Sequence, residues 1–174
     1  MAFKRLEFDM STLRDHLMEK HVFDNLIVPE GTLGGIFGAG FIYPNPNGEQ
    51  GFITSCLPIC KPLLMEAEPV YHDFDQMCLF LGGDAAHMDQ LGGVVTFELG
   101  DEDGHMEKFE ITKPTMIYIK KGMIHCPLDF VEIFDEKKPI YFQDFTFAGV
   151  YRRYRPSEPD QPYNEHFEPI EKTW

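Results

Sequence analysis

Two segments of this 174-residue chain carry side chains that could do chemistry. In the first, His72 is followed by Asp73, Asp75 and Gln76, directly before an apolar run that ends in two glycines. In the second, His125 stands three residues after a glycine that follows another apolar run. Imidazoles bind transition metals and transfer protons near neutral pH, and carboxylates do both when correctly placed. Each segment therefore predicts an imidazole at the end of a strand, where a site could form.

The two imidazoles permit a metal site. Two neutral imidazoles and one oxygen donor, from Gln76 or from neighbouring Asp75 or Asp73, could hold Zn, Fe, Mn or Ni and leave positions open for water or substrate. The alternative is that His72 and His125 are hydrogen-bonded polar groups lining a metal-free pocket. The residue types alone leave both interpretations open.

Asp73 and Asp75 are the candidate catalytic groups. They alternate with Phe74, so in an extended chain the two carboxylates share one side and the ring points to the other. Either carboxylate could transfer a proton, or the pair could cap a turn and bond to backbone. Cys126 directly follows His125, and adjacent strand residues face opposite ways, so we expect Cys126 to pack in the core rather than to act as a nucleophile.

Other chemistry-bearing patterns are weaker. His87 and His105 lie in polar connections, and we expect both to be solvated. The glycine-rich stretch at residues 34–40 is not a dinucleotide loop, because Tyr43 replaces the third glycine and prolines follow where a helix should begin. It is interpreted as a strand whose glycines allow close approach of another backbone.

The composition limits the possible partners. Lys and Arg total 15 against 29 Asp and Glu, a net charge of −14, which disfavours nucleic acid and anionic membranes. The 43% of hydrophobic residues, with 16 Phe, is enough for a folded core. Charged residues interrupt the N-terminus before any signal-peptide-like stretch, so a cytoplasmic protein is expected, with its four cysteines reduced.

The local patterns predict one helix followed by strands. Leu13 and Leu17 lie one turn apart and predict a short amphipathic helix over residues 11–20. After it, short apolar runs alternate with Gly, Pro, Asn and Asp, which is typical of a β sandwich or barrel. The predicted strands cover residues 35–43, 51–57, 63–66, 76–81, 93–99, 108–112, 116–119 and 140–148.

The two histidine segments resemble the two signature motifs of the cupin superfamily, in particular those of small single-domain bacterial cupins. The resemblance spans residues 68–147 and includes the segment at 91–100 between the motifs. It implies a mostly β fold, a cupin-type jelly-roll barrel of antiparallel strands, with the pocket inside the barrel. The short N-terminal helix and an extended C-terminal tail would flank this barrel.

The resemblance also implies the ligand set. The family's metal site uses two histidines and a glutamate from the first motif and one histidine from the second. His72 and His125 match two of these positions, whereas Val70 and Gln76 stand at the other two. Metal ligation by His72, His125 and Gln76 would give a site with less negative charge than usual. The expected function is small-metabolite binding with isomerase, lyase or oxygenase chemistry; the alternative is a non-catalytic ligand-binding or accessory cupin.

Three regions are expected along the chain: a helical extension at 1–24, the barrel at 25–151 and a Pro-rich tail at 152–174. The tail is either a free terminus or an arm that packs Tyr154, Tyr163, Phe167 and Trp174 on the domain or on a neighbouring subunit. Cupin barrels often pair through edge strands, and we expect a homodimer that binds a small-molecule ligand.

Overall fold

A computed structural model describes residues 39–43, 52–101, 103–148, 151–163 and 170–171. These residues form strands and no helix, so none of them forms a helix that could cross a membrane. The helix predicted over residues 11–20 lies outside the described residues. The twelve strands are β1 (Ala39–Tyr43), β2 (Phe52–Ile59), β3 (Leu63–Glu66), β4 (Gln76–Gly82), β5 (Gly93–Gly100), β6 (Met106–Ile111), β7 (Thr115–Ile119), β8 (His125–Ile133), β9 (Ile140–Thr146), β10 (Arg153–Arg155), β11 (Glu158–Tyr163) and β12 (Ile170–Glu171).

The strands form two larger sheets and one hairpin. The first sheet has the order β12-β1-β2-β9-β4-β7 and the second the order β3-β8-β5-β6, while β10 pairs with β11. All the pairings are antiparallel except that of β1 with β12. The mostly antiparallel β architecture expected from the sequence is therefore confirmed for the described residues.

The core lies between the two sheets. Phe80 of β4 contacts the rings of Phe97 on β5 and Phe130 on β8, with centroids 6.2 and 6.1 Å apart. Its ring also contacts Phe142 of β9, at 5.2 Å. Strands β4 and β5 alternate buried and partly exposed residues over most of their length, which is the period expected of strands with one face on a core. This apolar layer stabilises both sheets by burial.

Strand β8 was not predicted, although it lies inside the second sheet. Pro127 lacks a backbone N–H, so it cannot donate a hydrogen bond to a neighbouring strand. Cys126 and Pro127 together face one residue of β5, since Leu99 pairs with His125 and Phe97 with Leu128. This bulge accommodates the proline, and Cys126 has a φ of 72° within it.

Candidate functional site

Backbone hydrogen bonds bring the two histidine segments together. Val70 and His125 form an isolated antiparallel bridge. The Val70 N–H donates to the His125 carbonyl, with 2.9 Å between N and O, and the His125 N–H donates to the Val70 carbonyl at 2.8 Å. The Gly122 N–H donates to the carbonyl of His72 at 2.8 Å. Gly122 has a φ of 80°, in the left-handed region that glycine adopts without strain, so the turn before β8 can present its N–H to the first motif.

The two imidazoles lie side by side in the interior. Their ring centroids are 4.9 Å apart, and His72 and His125 are each only 3% exposed. The two histidines thus come together in the buried interior, whereas metal binding by them stays a prediction. The bridge partner of His125 is Val70, so the backbone of Val70 aligns the two histidine segments.

Each imidazole is fixed through its Nδ1 atom. Because a carbonyl can only accept, His72 donates from Nδ1 to the carbonyl of Arg152 at 2.6 Å, and His125 donates from Nδ1 to the carbonyl of Met123 at 3.0 Å. Both rings therefore carry their proton on Nδ1 and keep a lone pair on Nε2. A backbone acceptor on Nδ1 is the usual arrangement behind a metal-ligating histidine.

Burial keeps both imidazoles neutral. It lowers the pKa of His72 to about 3, helped by the neighbouring His125, while the hydrogen bond to Arg152 opposes the shift. It lowers the pKa of His125 to about 4, against the opposing hydrogen bond to Met123. At pH 7 both side chains are therefore neutral, which is the state in which imidazole binds a metal.

Gln76 supplies a buried oxygen without a partner. The side chain is 5% exposed and lies on the same side of the chain as His72 and Phe74. Its Nε2 donates to Oδ1 of Asp144 at 2.9 Å, whereas its Oε1 has no hydrogen-bond partner among the described residues. A buried acceptor without a donor is costly, and a ligand or metal ion would satisfy it.

His72, His125 and Gln76 carry atoms of the types that bind metal ions. The two Nε2 atoms and the amide Oε1 offer two nitrogens and one neutral oxygen. Within the described part of the chain, the only group of three His, Cys, Asp or Glu with mutually close ligand atoms is Asp101, Asp103 and His105, on the surface. Among the described residues, no carboxylate or thiolate lies close enough to His72 and His125 to form a three-ligand group with them.

Aromatic side chains shield His72. The ring of Phe74 stacks on it at 4.6 Å, and the ring of Tyr151 lies 5.1 Å away. Tyr151 and Phe74 also contact each other, at 5.5 Å. The edge of Phe97 faces His125 at 6.1 Å. The imidazoles are thus enclosed by rings that exclude water.

The sequence did not point to three polar residues near the histidines, which are Asp144, Tyr151 and Arg153. Desolvation raises the pKa of the Asp144 carboxyl to about 7, although the Gln76 amide and the Arg153 guanidinium favour the charged form. Desolvation also raises the pKa of Tyr151. Asp144 could have been found, because in a predicted strand it has the same parity as the buried Phe142. Tyr151 and Arg153 fall at the start of the Pro-rich segment, where no pattern points to a site.

Asp73 and Asp75 lie on the side of the chain opposite to His72. Asp75 accepts from the Tyr118 hydroxyl at 2.6 Å and the Lys121 N–H at 2.8 Å, and the pKa of Asp75 is lowered by these two bonds in that order. Asp73 accepts from Arg152 at 3.1 Å. The two carboxylates share one side, as predicted, and each has hydrogen-bond partners there. Their catalytic role stays a prediction.

The remaining candidates behave as the sequence suggested. His87 and His105 are exposed and pair with Asp84 and Asp101. Cys126 is buried in the core, and burial raises the pKa of its thiol, so it packs rather than reacts. Its burial beside His125 follows from the bulge, which breaks the alternation on which the prediction was argued.

Comparison with known proteins gives structural neighbours only. No family profile matches the chain, and no curated protein does. The solved structures that it resembles include vicilin from Corylus avellana (hazelnut), at 10% identity and a TM-score of 0.46, with 77% of this chain and 36% of that one covered. They also include a Bacillus subtilis oxalate decarboxylase with Mn(II) centres, at 12% identity and a TM-score of 0.44, with 86% and 38% covered. The chain thus spans little more than a third of these neighbours' length.

Proposed function

We propose that this protein binds a small molecule at a divalent metal ion held by His72, His125 and Gln76. The observation that carries the proposal is the pair of buried, neutral imidazoles whose rings lie 4.9 Å apart. Each has its Nδ1–H bonded to a backbone carbonyl, so the lone pair that could bind a metal is on Nε2 in both rings. The unpartnered Oε1 of Gln76 is the third donor.

The metal would act as a Lewis acid toward a carbonyl or hydroxyl of the ligand. Phe74 and Tyr151 exclude water from the ring of His72. The Asp144 carboxyl, whose pKa of about 7 allows it to hold or release a proton at neutral pH, is bonded to Gln76 through Oδ1. This chemistry suits isomerisation or elimination of a small metabolite, or an oxygen-dependent cleavage with iron. Asp73 and Asp75 remain the carboxylates predicted from the sequence for proton transfer.

A second function is favoured by one specific observation. Val70 occupies a position where a ligand is expected from the family resemblance, and no described His, Cys, Asp or Glu replaces it. A metal-free pocket that binds a ligand without turnover would need only hydrogen bonding by the imidazoles and by Gln76. The test must therefore separate metal binding from pocket formation.

We expect metal-free protein titrated with Zn²⁺ or Mn²⁺ to bind one equivalent per chain. His72→Ala and His125→Ala should each weaken binding by more than about 100-fold, because each removes one of only two nitrogen ligands. Isothermal titration calorimetry measures both quantities. His87→Ala is the matched control, since it removes an exposed imidazole that is paired with Asp84.

Two outcomes would contradict the metal proposal. Absence of stoichiometric binding in the parent protein would leave the metal-free pocket. Loss of binding in His105→Ala, with retention in His72→Ala, would assign the ion to the surface turn that holds Asp101 and Asp103.

A further inference from the structure

The segment of residues 151–155, which we call the strap, crosses the site from outside the two larger sheets. It includes β10, whose partner β11 lies farther along the chain. Tyr151 supplies a ring against His72, and Arg152 supplies the carbonyl that accepts from Nδ1 of His72. The strap therefore supplies the hydrogen-bond acceptor for Nδ1 of that imidazole.

Backbone and ring contacts anchor the strap beside His72. Tyr71 and Tyr154 exchange two backbone hydrogen bonds of 3.0 Å, and their rings stack with centroids 5.2 Å apart and planes 17° apart. The Tyr71 hydroxyl also donates to the Pro159 carbonyl at 3.2 Å, in β11. Because Tyr71 directly precedes His72 and Tyr154 lies two residues after Arg152, this anchor fixes the two hydrogen-bonding groups relative to each other.

Charge complementarity adds a second set of anchors. The strap holds three of the chain's five arginines, and each pairs with a carboxylate of the segment at 66–73. The pairs are Arg152 with Asp73 at 3.1 Å, Arg153 with Glu66 at 2.7 Å and Arg155 with Glu68 at 2.7 Å. All three are partly exposed, so each is weak alone and screened by salt. The tyrosine contact is therefore the principal anchor.

His125 does not depend on the strap in this way. Its Nδ1 donates to Met123, in the turn between β7 and β8. The two imidazoles are thus held by different parts of the chain. The acceptor of His125 is two residues away in sequence, whereas the acceptor of His72 is 80 residues away. This difference makes His125 an internal reference for a displacement of the Arg152 carbonyl.

We propose that the strap is a positioning element for His72: through the Arg152 carbonyl it fixes the Nδ1–H tautomer and aims Nε2 into the site. The inference rests on the proposed function in that Nε2 of His72 is taken as the metal ligand. Tyr154 acts as a positioning residue, because its contact with Tyr71 holds the Arg152 carbonyl in place. Residues 151–155 are then part of the site rather than a terminal appendage.

The test compares Tyr154→Ala with Tyr154→Phe in the full chain. The phenylalanine variant keeps the ring on Tyr71 and loses only a hydroxyl 3.3 Å from Asp73. Histidine tautomers are measured by ¹⁵N NMR on the metal-free protein, and the Kd for Zn²⁺ is measured separately. In Tyr154→Ala we expect His72 to become a mixture of tautomers, His125 to stay unchanged and the Kd to rise about 10- to 100-fold. Tyr154→Phe should match the parent protein within about threefold, as expected when the positioning contact is retained.

An unchanged His72 tautomer in Tyr154→Ala would overturn the inference, and so would an equal change at both histidines. If that variant does not fold, Tyr154→Leu decides in the same way, because it also removes the ring stacked on Tyr71 but keeps a large apolar side chain. A parent protein that binds no Zn²⁺ would refute the proposed function alone, because the tautomer readout needs no metal.

Discussion

The metal-free protein is expected to lose stability as the pH falls from about 6.5 toward 4, because folding keeps His72 and His125 neutral. Their pKa values are about 3 and about 4 in the folded chain, against 6.5 for a solvated imidazole. The unfolded chain therefore binds two protons in this window that the folded chain does not. Stability present above pH 6.5 is lost as the unfolded state is protonated.

Asp144 has the opposite effect on the pH dependence of stability. Its folded pKa is about 7, above the ordinary value of 3.8, so between these values the folded chain holds a proton that the unfolded chain has released. Near pH 5 the unfolded state then binds two protons more at the histidines and one fewer at Asp144. The net difference of one proton corresponds to a slope of roughly 1.4 kcal/mol per pH unit. Carboxylates with lowered pKa values, such as Asp75, act only near and below pH 4.

Urea unfolding at several pH values measures this slope. In Asp144→Asn the opposing group is removed, and the slope should approach roughly 2.7 kcal/mol per pH unit. Replacing both histidines by glutamine should reverse the sign of the slope. If the stability of both the parent protein and Asp144→Asn is flat between pH 6.5 and 4, the two imidazoles are solvated.

Phe80→Ala should lower the free energy of unfolding by about 3–5 kcal/mol, the range for truncating a fully buried phenylalanine. The side chain is 0% exposed and contacts three other phenylalanines contributed by both sheets. Its removal leaves a cavity in the layer that holds the two sheets together.

Phe109→Ala is the control for the core prediction, since that ring is 45% exposed on β6. This substitution should lower the free energy of unfolding by less than about 1 kcal/mol. Urea unfolding of the two variants at pH 7 measures the difference. Equal losses in both variants would be incompatible with a core centred on Phe80.

Much of the fold could be predicted, because period-two alternation survives wherever a strand has one face on the core. Strands such as β4 and β5 show it clearly. The alternation fails at β8, where the bulge at Cys126 and Pro127 changes the register. It is also uninformative in β11, whose Pro159 and Pro162 lie in a strand of a two-stranded hairpin rather than inside a larger sheet.

The candidate site was predictable only in part. His72 and His125 stand out because each follows or precedes a strand in a recognisable motif. Asp144 was hidden inside an apolar strand, and only its register with buried neighbours marks it. The Arg152 carbonyl could not be predicted, because backbone groups carry no sequence signal and the contact spans 80 residues.

The most direct measurement is the X-ray absorption spectrum of the protein loaded with one equivalent of Zn²⁺. Two imidazoles bound through Nε2 predict two Zn–N distances of about 2.0–2.1 Å, together with scattering from the two rings. This imidazole signal should be lost in the His72→Ala, His125→Ala double variant. A shell of oxygen atoms alone, or an imidazole signal that survives in the double variant, would contradict the account.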